Sequence, residues 1–233
     1  MSFALSNESV KAMHAEILSE AGPSARALQI NKGIPRWADL TIAVMGLIVV
    51  TPVIVVIVLA IAASSGRPVF FRQKRVGRGG RMFDLYKLRT MKPNAEGVQI
   101  TSRDDKRITR LGRFLRRSKL DELPALWNVV RGDMALVGPR PEVPRYVKLS
   151  DPKWQMILQV RPGITDPVTL RLRNEEDLLA QANGNPEKYY LSELQPSKLS
   201  GYVAYLQQRT CRGDLRMLWR TIVEVATKNS VGV

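Results

Sequence analysis

Asp121 and Glu122 stand side by side in "RRSKLDELPALWNVV", residues 116–130, directly after a strongly basic run. Adjacent carboxylates at an expected helix start have two readings. One is structural: Ser118 and Asp121 show the S-x-x-[DE] spacing of a capping box, the helix dipole favours acids in a first turn, and Pro124 suits a helix start. The other is chemical. A helix N-terminus favours anions and keeps a carboxylate ionised, and an ionised carboxylate among cations can attack phosphorus to form an acyl phosphate. Its neighbour, about 100° further round the helix, could hold Mg²⁺, which takes oxygen ligands and substrate phosphates. A glycosidase fits poorly, since its carboxyl groups must flank the scissile bond about 5–5.5 Å apart or more.

Composition limits the alternatives. The 233 residues include 36 Lys and Arg against 21 Asp and Glu, a net charge of +15. That balance implies an anionic partner: nucleic acid, an anionic membrane face or a phosphorylated substrate. Cys211 is the single cysteine and His14 the single histidine, so an intrachain disulfide and a cysteine metal cage are excluded, and imidazole catalysis or histidine-ligated zinc is disfavoured. Chemistry is left to carboxylates, Lys, Arg, hydroxyls and a hard metal ion. Arg140, between Pro139 and Pro141 in "GPRP", has a restricted backbone suited to bidentate phosphate recognition; a structural arginine stacked on its neighbours is the plainer alternative.

The elements that must position these groups follow from pattern. "GRPVFFRQKRVGRGGRMFDLYKLRTM" reads as two strands joined by the turn "GRGG". Between Arg67 and Arg89 it carries eight Lys or Arg and one acid, Asp84. Strand alternation makes Lys87 and Arg89 project together, either toward substrate or as a solvated, headgroup-binding edge. Residues 105–117, "DKRITRLGRFLRR", read as a basic amphipathic helix. Ile108, Leu111, Phe114 and Leu115 share one arc, opposite Lys106, Arg110, Arg113, Arg116 and Arg117. Its apolar face could lie in a membrane interface or on a protein core. "QVRPGITDPVTLRLRNEE" reads as a loop with Arg161, Arg171 and Arg173, and Leu215, Leu218, Trp219, Ile222 and Val223 form the clearest C-terminal stripe.

Ile42–Ala63 contains 22 positions without a charge, long enough to span a bilayer at about 20 apolar residues. Its place in the chain and the lack of a small-residue cleavage site argue against a signal peptide. Pro52, after Thr51 near the midpoint, removes a backbone donor and disturbs the preceding turn. Both flanks are basic: Lys32 and Arg36 before, Arg67, Arg72, Lys74 and Arg75 after. Positive charge marks cytoplasmic ends, so a helix that breaks and returns explains the flanks as well as a kinked single span explains the length. Either arrangement binds the protein to a membrane.

These stretches together resemble the monotopic phosphoglycosyl transferases, the bacterial sugar transferase family. The resemblance covers about residues 32–228 and rests on the Thr51-Pro52 helix, "FRQKRVGRGGRMFDLYKLRTM", "RRSKLDELPALWNVVRGDMALVGPRP" and "VRPGIT". It implies an α+β fold with a re-entrant membrane helix broken at Thr51-Pro52, interfacial amphipathic helices and a small mixed globular domain. The implied boundaries are an extension over residues 1–31, the re-entrant helix over 32–65 and a cytoplasmic catalytic domain over 66–233, the short form of the family. The implied activity moves a phosphosugar from a nucleoside diphosphate sugar, usually a UDP-sugar, to polyprenyl phosphate, here undecaprenyl phosphate. It proceeds through a covalent Asp121 intermediate with release of UMP. It is the first membrane step of glycan or exopolysaccharide assembly, at the cytoplasmic face of the bacterial inner membrane. Mg²⁺ is the implied cofactor, with Glu122 and Asp121 as its ligands. Lys87, Arg89, Arg116, Pro139, Arg140, Pro141 and Arg173 would bind the phosphates. A homodimer is compatible with this reading and nucleic acid is not a partner.

Three positions depart from the family's usual form: Thr51 for Ser, Ala135 for the Ser of "MSLVGPRP", and "GITDPVTLRLRNEE" for "GITG-x-AQ". The last bears on the sugar pocket. Two readings of other classes compete: a membrane-anchored nucleic-acid binder using the same charge, and a non-catalytic scaffold on anionic lipid. Against the first, the basic segments lack a helix-turn-helix or an aromatic-studded sheet.

Overall fold

The computed structural model describes residues 30–93, 101, 105–172, 175–181 and 185–228. The short amphipathic pattern that Val10, Met13 and Ile17 make in the sequence, His14 and Arg173 all lie outside the described residues.

Helix α1, Arg36–Ser65, is 30 residues long and continues through Pro52. Proline leaves the carbonyl four residues back without its helical donor. The Thr51 hydroxyl bonds in the same turn, donating to the Leu47 carbonyl at 2.6 Å. This helix is the one long and apolar enough to cross a membrane among the described residues. Its two ends both hold to one globular body. At the start, Arg36 donates to the Val129 carbonyl (2.5 Å) and the Met134 carbonyl (3.3 Å), and Asp39 accepts from the Leu136 amide at 3.2 Å. At the far end, Ile57 and Ile61 pack with Leu88 and Leu115. Arg89 closes that end by donating to the Ser65 carbonyl at 2.8 Å and the Gly66 carbonyl at 2.7 Å. Between the two anchors Met45, Ile48, Val49, Val55, Val56 and Leu59 are exposed.

Strands β1, Phe70–Val76, and β2, Met82–Leu88, form the expected hairpin, with Lys74 opposite Asp84 and Phe71 opposite Lys87. Its turn needs glycine: Gly79 and Gly80 sit at φ 67° and 75°, where side chains are strained. Helix α2 spans Arg110–Arg117, shorter than the expected 105–117. Thr109 stops it there, its hydroxyl accepting from the Gly112 amide at 2.9 Å as an N-cap. Leu115 is buried and Leu111 packs on the α1 cluster, whereas Phe114 faces out at 57% exposure. The helix therefore divides its apolar residues between core and surroundings.

Helix α3, Ala125–Arg131, follows a single 3-10 turn, Leu120–Glu122. Strands β3, Ala135–Val137, and β4, Gly163–Thr165, pair in parallel. The short helices α4, Pro152–Ile157, α5, Pro167–Arg171, α6, Glu175–Gln181, and α7, Pro186–Tyr189, lead into α8, Gln195–Gln208. Trp154, Met156, Leu194, Tyr202 and Leu206 centre this second core. Helix α9, Cys211–Lys228, is held by Asp214, which accepts from the Ile34 amide, Tyr205 and Arg209. Four residues of the stripe read from the sequence, Leu215, Trp219, Ile222 and Val223, are exposed, and the fifth, Leu218, packs inward with Met217.

Asn128 joins the hairpin to α3. Fully buried, it accepts from the Tyr86 amide at 3.1 Å and donates to the Asp84 carbonyl at 2.7 Å. Asn128→Leu strands both backbone groups, and we expect a loss of about 3 kcal/mol. The check is the denaturant midpoint of the detergent-solubilised protein, with an unchanged slope.

Candidate active site

The turn bearing the acidic pair is built by a backbone reversal. Helix α2 ends at Ser118, whose hydroxyl donates back to the Phe114 carbonyl at 2.9 Å. Ser118 thus closes the preceding helix and does not open the next. Lys119 then takes the left-handed conformation at φ 57°, uncommon outside glycine. No side chain caps the 3-10 turn or α3, which corrects the capping reading: neither carboxylate is spent on a helix terminus. Leu120 packs against the Ile57 and Ile61 cluster, so the pair sits where the domain meets the apolar helix.

Arg140 reaches the turn because two chain segments cross closely. A Cβ on Gly138 would come within 2.7 Å of the Arg161 carbonyl, and one on Gly163 within 2.1 Å of the Gly138 amide nitrogen. Without side chains there, the Gly163 amide donates to the Pro139 carbonyl at 2.9 Å and the Gly138 amide to the Thr165 carbonyl at 3.0 Å. Pro141 is fixed in turn by Arg75, which donates to its carbonyl at 2.9 Å.

The result is a carboxylate held by two cations. Glu122 Oε1 accepts from Lys87 Nζ at 2.9 Å and from Arg140 Nη2, while Oε2 accepts from Arg140 Nη1 at 3.1 Å. Burial works against ionising Glu122, but Arg140 and Lys87 outweigh it and hold its carboxyl well below the usual range. Burial lowers the Lys87 ammonium despite Glu122 beside it, and Glu122 raises the Arg140 guanidinium against burial.

Asp121 has the opposite environment. It is 7% exposed, and Oδ1 is buried with no hydrogen-bond partner among the described residues. Burial and then Glu122 push its pKa up to about 6, only partly offset by Lys87, Lys119 and Arg116. Asp121 thus lacks the stabilising surroundings expected of a helix end, because burial and Glu122 outweigh Lys87, Lys119 and Arg116. A pKa of about 6 still leaves the carboxylate the main form near neutral pH.

The other site residues read from the sequence divide. Lys87 and Arg140 bond Glu122 and Pro141 lines the same cavity, whereas Pro139 lines the neighbouring one with Trp154 and Leu158. Arg116 lies beside the dyad, its Nε donating to Thr90 Oγ1 at 2.9 Å. Arg89 does not share a target with Lys87; it closes α1, and its Nε and Nη1 are buried without a partner among the described residues. Sequence reasoning missed Lys119, whose conformation no residue pattern announces, and Thr90.

The fit to Mg²⁺ is uneven. Both Glu122 oxygens are engaged by cations, so it is not free to ligate as it stands. Asp121 Oδ1 is the unclaimed oxygen, and Mg²⁺ binds through one or two carboxylates with substrate phosphates. No group of three or more acidic, His or Cys side chains that could form a metal cage occurs among the described residues.

The site is thus a cluster of carboxylates and cations at the base of an apolar helix. Comparison with known proteins adds the family: residues 30–228 match the bacterial sugar transferase family. A Caulobacter vibrioides UDP-glucose:undecaprenyl-phosphate glucose-1-phosphate transferase is 34% identical over 226 residues, covering 91% of this chain and 80% of the relative. An Aeromonas hydrophila UDP-N-acetylgalactosamine-undecaprenyl-phosphate N-acetylgalactosaminephosphotransferase is 40% identical over 137 residues, 57% of this chain and 32% of the relative. The Escherichia coli UDP-glucose:undecaprenyl-phosphate glucose-1-phosphate transferase is 39% identical over 142 residues, 58% of this chain and 30% of the relative. The chain belongs to the bacterial sugar transferase family.

The two carboxylates should respond oppositely to neutralisation. The Asp121 pKa of about 6 lies above the unfolded value of about 3.9, so its protonated form favours folding. That contribution is complete below about pH 4 and lost as pH rises through about 6. Asp121→Asn should thus stabilise the fold at pH 8 by on the order of 2 kcal/mol, with no gain at pH 4. Glu122→Gln, which leaves Lys87 and Arg140 facing a neutral group, should cost about 3 kcal/mol at pH 8. Denaturant titrations at both pH values check the signs.

Proposed function

We propose that this protein transfers a sugar phosphate from a UDP-sugar to undecaprenyl phosphate, by way of a phosphosugar carried on Asp121. The observation that carries the reading is the dyad itself. A desolvated carboxylate with an unclaimed oxygen adjoins a carboxylate whose two cations are those a diphosphate would engage. In the first step an Asp121 oxygen bonds to the phosphorus bearing the sugar, and the bond from that phosphorus to the bridging oxygen breaks, releasing UMP. In the second, a phosphate oxygen of the lipid attacks the same phosphorus and frees the Asp121 carboxylate. The product is lipid diphosphosugar.

Phosphoryl transfer depends chiefly on positioning and on charge stabilisation. Lys87 and Arg140, which hold Glu122, would supply cations to the reacting phosphorus, and Arg116, which acts on Asp121, a further one. Arg89, with two donors to spare at the base of α1, suits the acceptor phosphate. Arg173 remains a further phosphate ligand in this proposal. Mg²⁺ would be held by Asp121 and substrate phosphates and would offset their charge. Entry of the donor has to uncover Asp121 Oδ1, and competition of its diphosphate for Lys87 and Arg140 provides the means.

The placement of α1 supports a re-entrant topology. Thirty residues make a helix about 45 Å long, against a hydrocarbon core of about 30 Å. A straight crossing would carry one end away from the domain, yet both ends bond to it. A helix bent at Thr51-Pro52 and returning to the same face satisfies both anchors and immerses the exposed middle. Trp37, Trp127 and Trp219, all exposed, suit the interface around it. With basic flanks inside, both ends and the site lie at the cytoplasmic face of the inner membrane. Nothing favours a nucleic-acid reading over this one.

Incubation with UDP-sugars followed by intact-protein mass spectrometry should detect a phosphosugar adduct. Asp121→Asn should lose both adduct and turnover while remaining in the membrane fraction; full activity in that variant would refute the scheme. Because the attacking form is the carboxylate, kcat/KM should fall about tenfold per pH unit below about pH 6.

A further inference from the structure

Behind Arg140 lies a second cluster of buried polar groups that the transfer chemistry leaves unused. Helix α8 contributes Ser197, Lys198 and Tyr202, at 1%, 7% and 2% exposure. Lys198 Nζ contacts both oxygens of Glu175, at 3.2 and 3.1 Å, and Tyr190 Oη at 3.4 Å. Tyr190 donates to Glu142 Oε2, and Glu142 Oε1 lies 3.5 Å from Arg75 Nη1. Arg75 also holds the Pro141 carbonyl. The chain from Glu175 to Pro141 is continuous and ends beside the arginine of the active site.

This cluster is incompletely satisfied. Six buried side-chain atoms lack a hydrogen-bond partner among the described residues; Arg75 Nε and Tyr202 Oη belong here, and Ser197 Oγ is a third, one position before Lys198 on α8. Buried polar groups are nearly always paired, so a group of unpaired ones calls for a partner. Glu122 first, and Tyr202 and Glu175 to a lesser degree, raise the proton affinity of the Arg140 guanidinium.

We propose that this cluster is the sugar-reading wall of the donor site, with the Tyr202 and Ser197 hydroxyls bonding the hydroxyl or acetamido groups of the hexose. The assignment rests on the transferase reading above. A phosphate is unsuited to the place, since Glu142 and Glu175 would repel it. A nucleobase needs an open flat face, and the Tyr190 ring is covered by Lys198 at 5.0 Å. A hexose offers uncharged groups that both donate and accept, which matches two hydroxyls beside an ammonium and a carboxylate. Glu175 is the penultimate residue of "GITDPVTLRLRNEE", the stretch that departs from the family's frequent form, so the wall is also where this chain differs.

The test compares UDP-glucose, UDP-galactose, UDP-N-acetylglucosamine and UDP-N-acetylgalactosamine with the full-length enzyme, measuring kcat/KM for UMP release and the Asp121 adduct. Tyr202→Phe preserves shape, and Ser197→Ala serves as a second variant should the first fold poorly. We expect the ratio of kcat/KM between the preferred sugar and its epimer or N-acetyl counterpart to change about tenfold in at least one variant. Unchanged ratios in folded, active variants overturn the proposal. So does a uniform loss over all four sugars with altered discrimination between UDP- and dTDP-glucose, which would seat the nucleoside there. Absence of UMP release by the wild type with every sugar would instead defeat the transferase reading, and this assignment with it.

Discussion

Three charged side chains can be packed together out of bulk water only if opposite charges meet, and this condition organises the protein around Glu122. Lys87 comes from the end of β2, Glu122 from the turn after α2, and Arg140 from the loop after β3. An unpaired charge in such a place costs several kcal/mol, so the ion cluster ties three distant pieces of chain into one geometry. The close crossing at Gly138 and Gly163 is its precondition, because a side chain at either position would push the arginine loop away. In the family reading, the cations that stabilise the fold also bind the substrate.

Asp121 and Glu122 are neighbours with opposite electrostatics. Environments that drive two carboxyl groups apart in proton affinity mark sites where each has a separate task. Here one carboxylate is fully compensated and inert, and the other is desolvated and under-compensated. After the left-handed Lys119, Leu120 packs on the base of α1, Asp121 is buried with Oδ1 unpaired among the described residues, and Glu122 meets the cations.

Much of this was legible in the sequence, for reasons that differ by element. The hairpin declared itself through alternation and its glycine turn, and α1 through an uncharged run. The dyad and the Arg140 loop stood out because carboxylates and a proline-bounded arginine are sparse types in a basic chain. What could not be read was direction. Strand alternation put Lys87 and Arg89 together, but β2 ends at Leu88 and the two find different partners. Ser118 had the spacing of an N-cap, yet its hydroxyl bonds backward because Lys119 reverses the chain. The polar cluster at α8 was invisible, since Glu142, Glu175, Tyr190 and Lys198 meet only through tertiary packing.

The anchoring of both ends of α1 to one body has a mechanical consequence for the lipid. In the re-entrant arrangement proposed above, a hairpin-like insertion would take up area in the leaflet it enters and little in the opposite one. Many copies would expand one monolayer relative to the other, and the cheapest relief is for the sheet to bow toward the occupied side. Vesicles of small radius, already stretched on their outer leaflet, should therefore take up this protein more readily than flat bilayers.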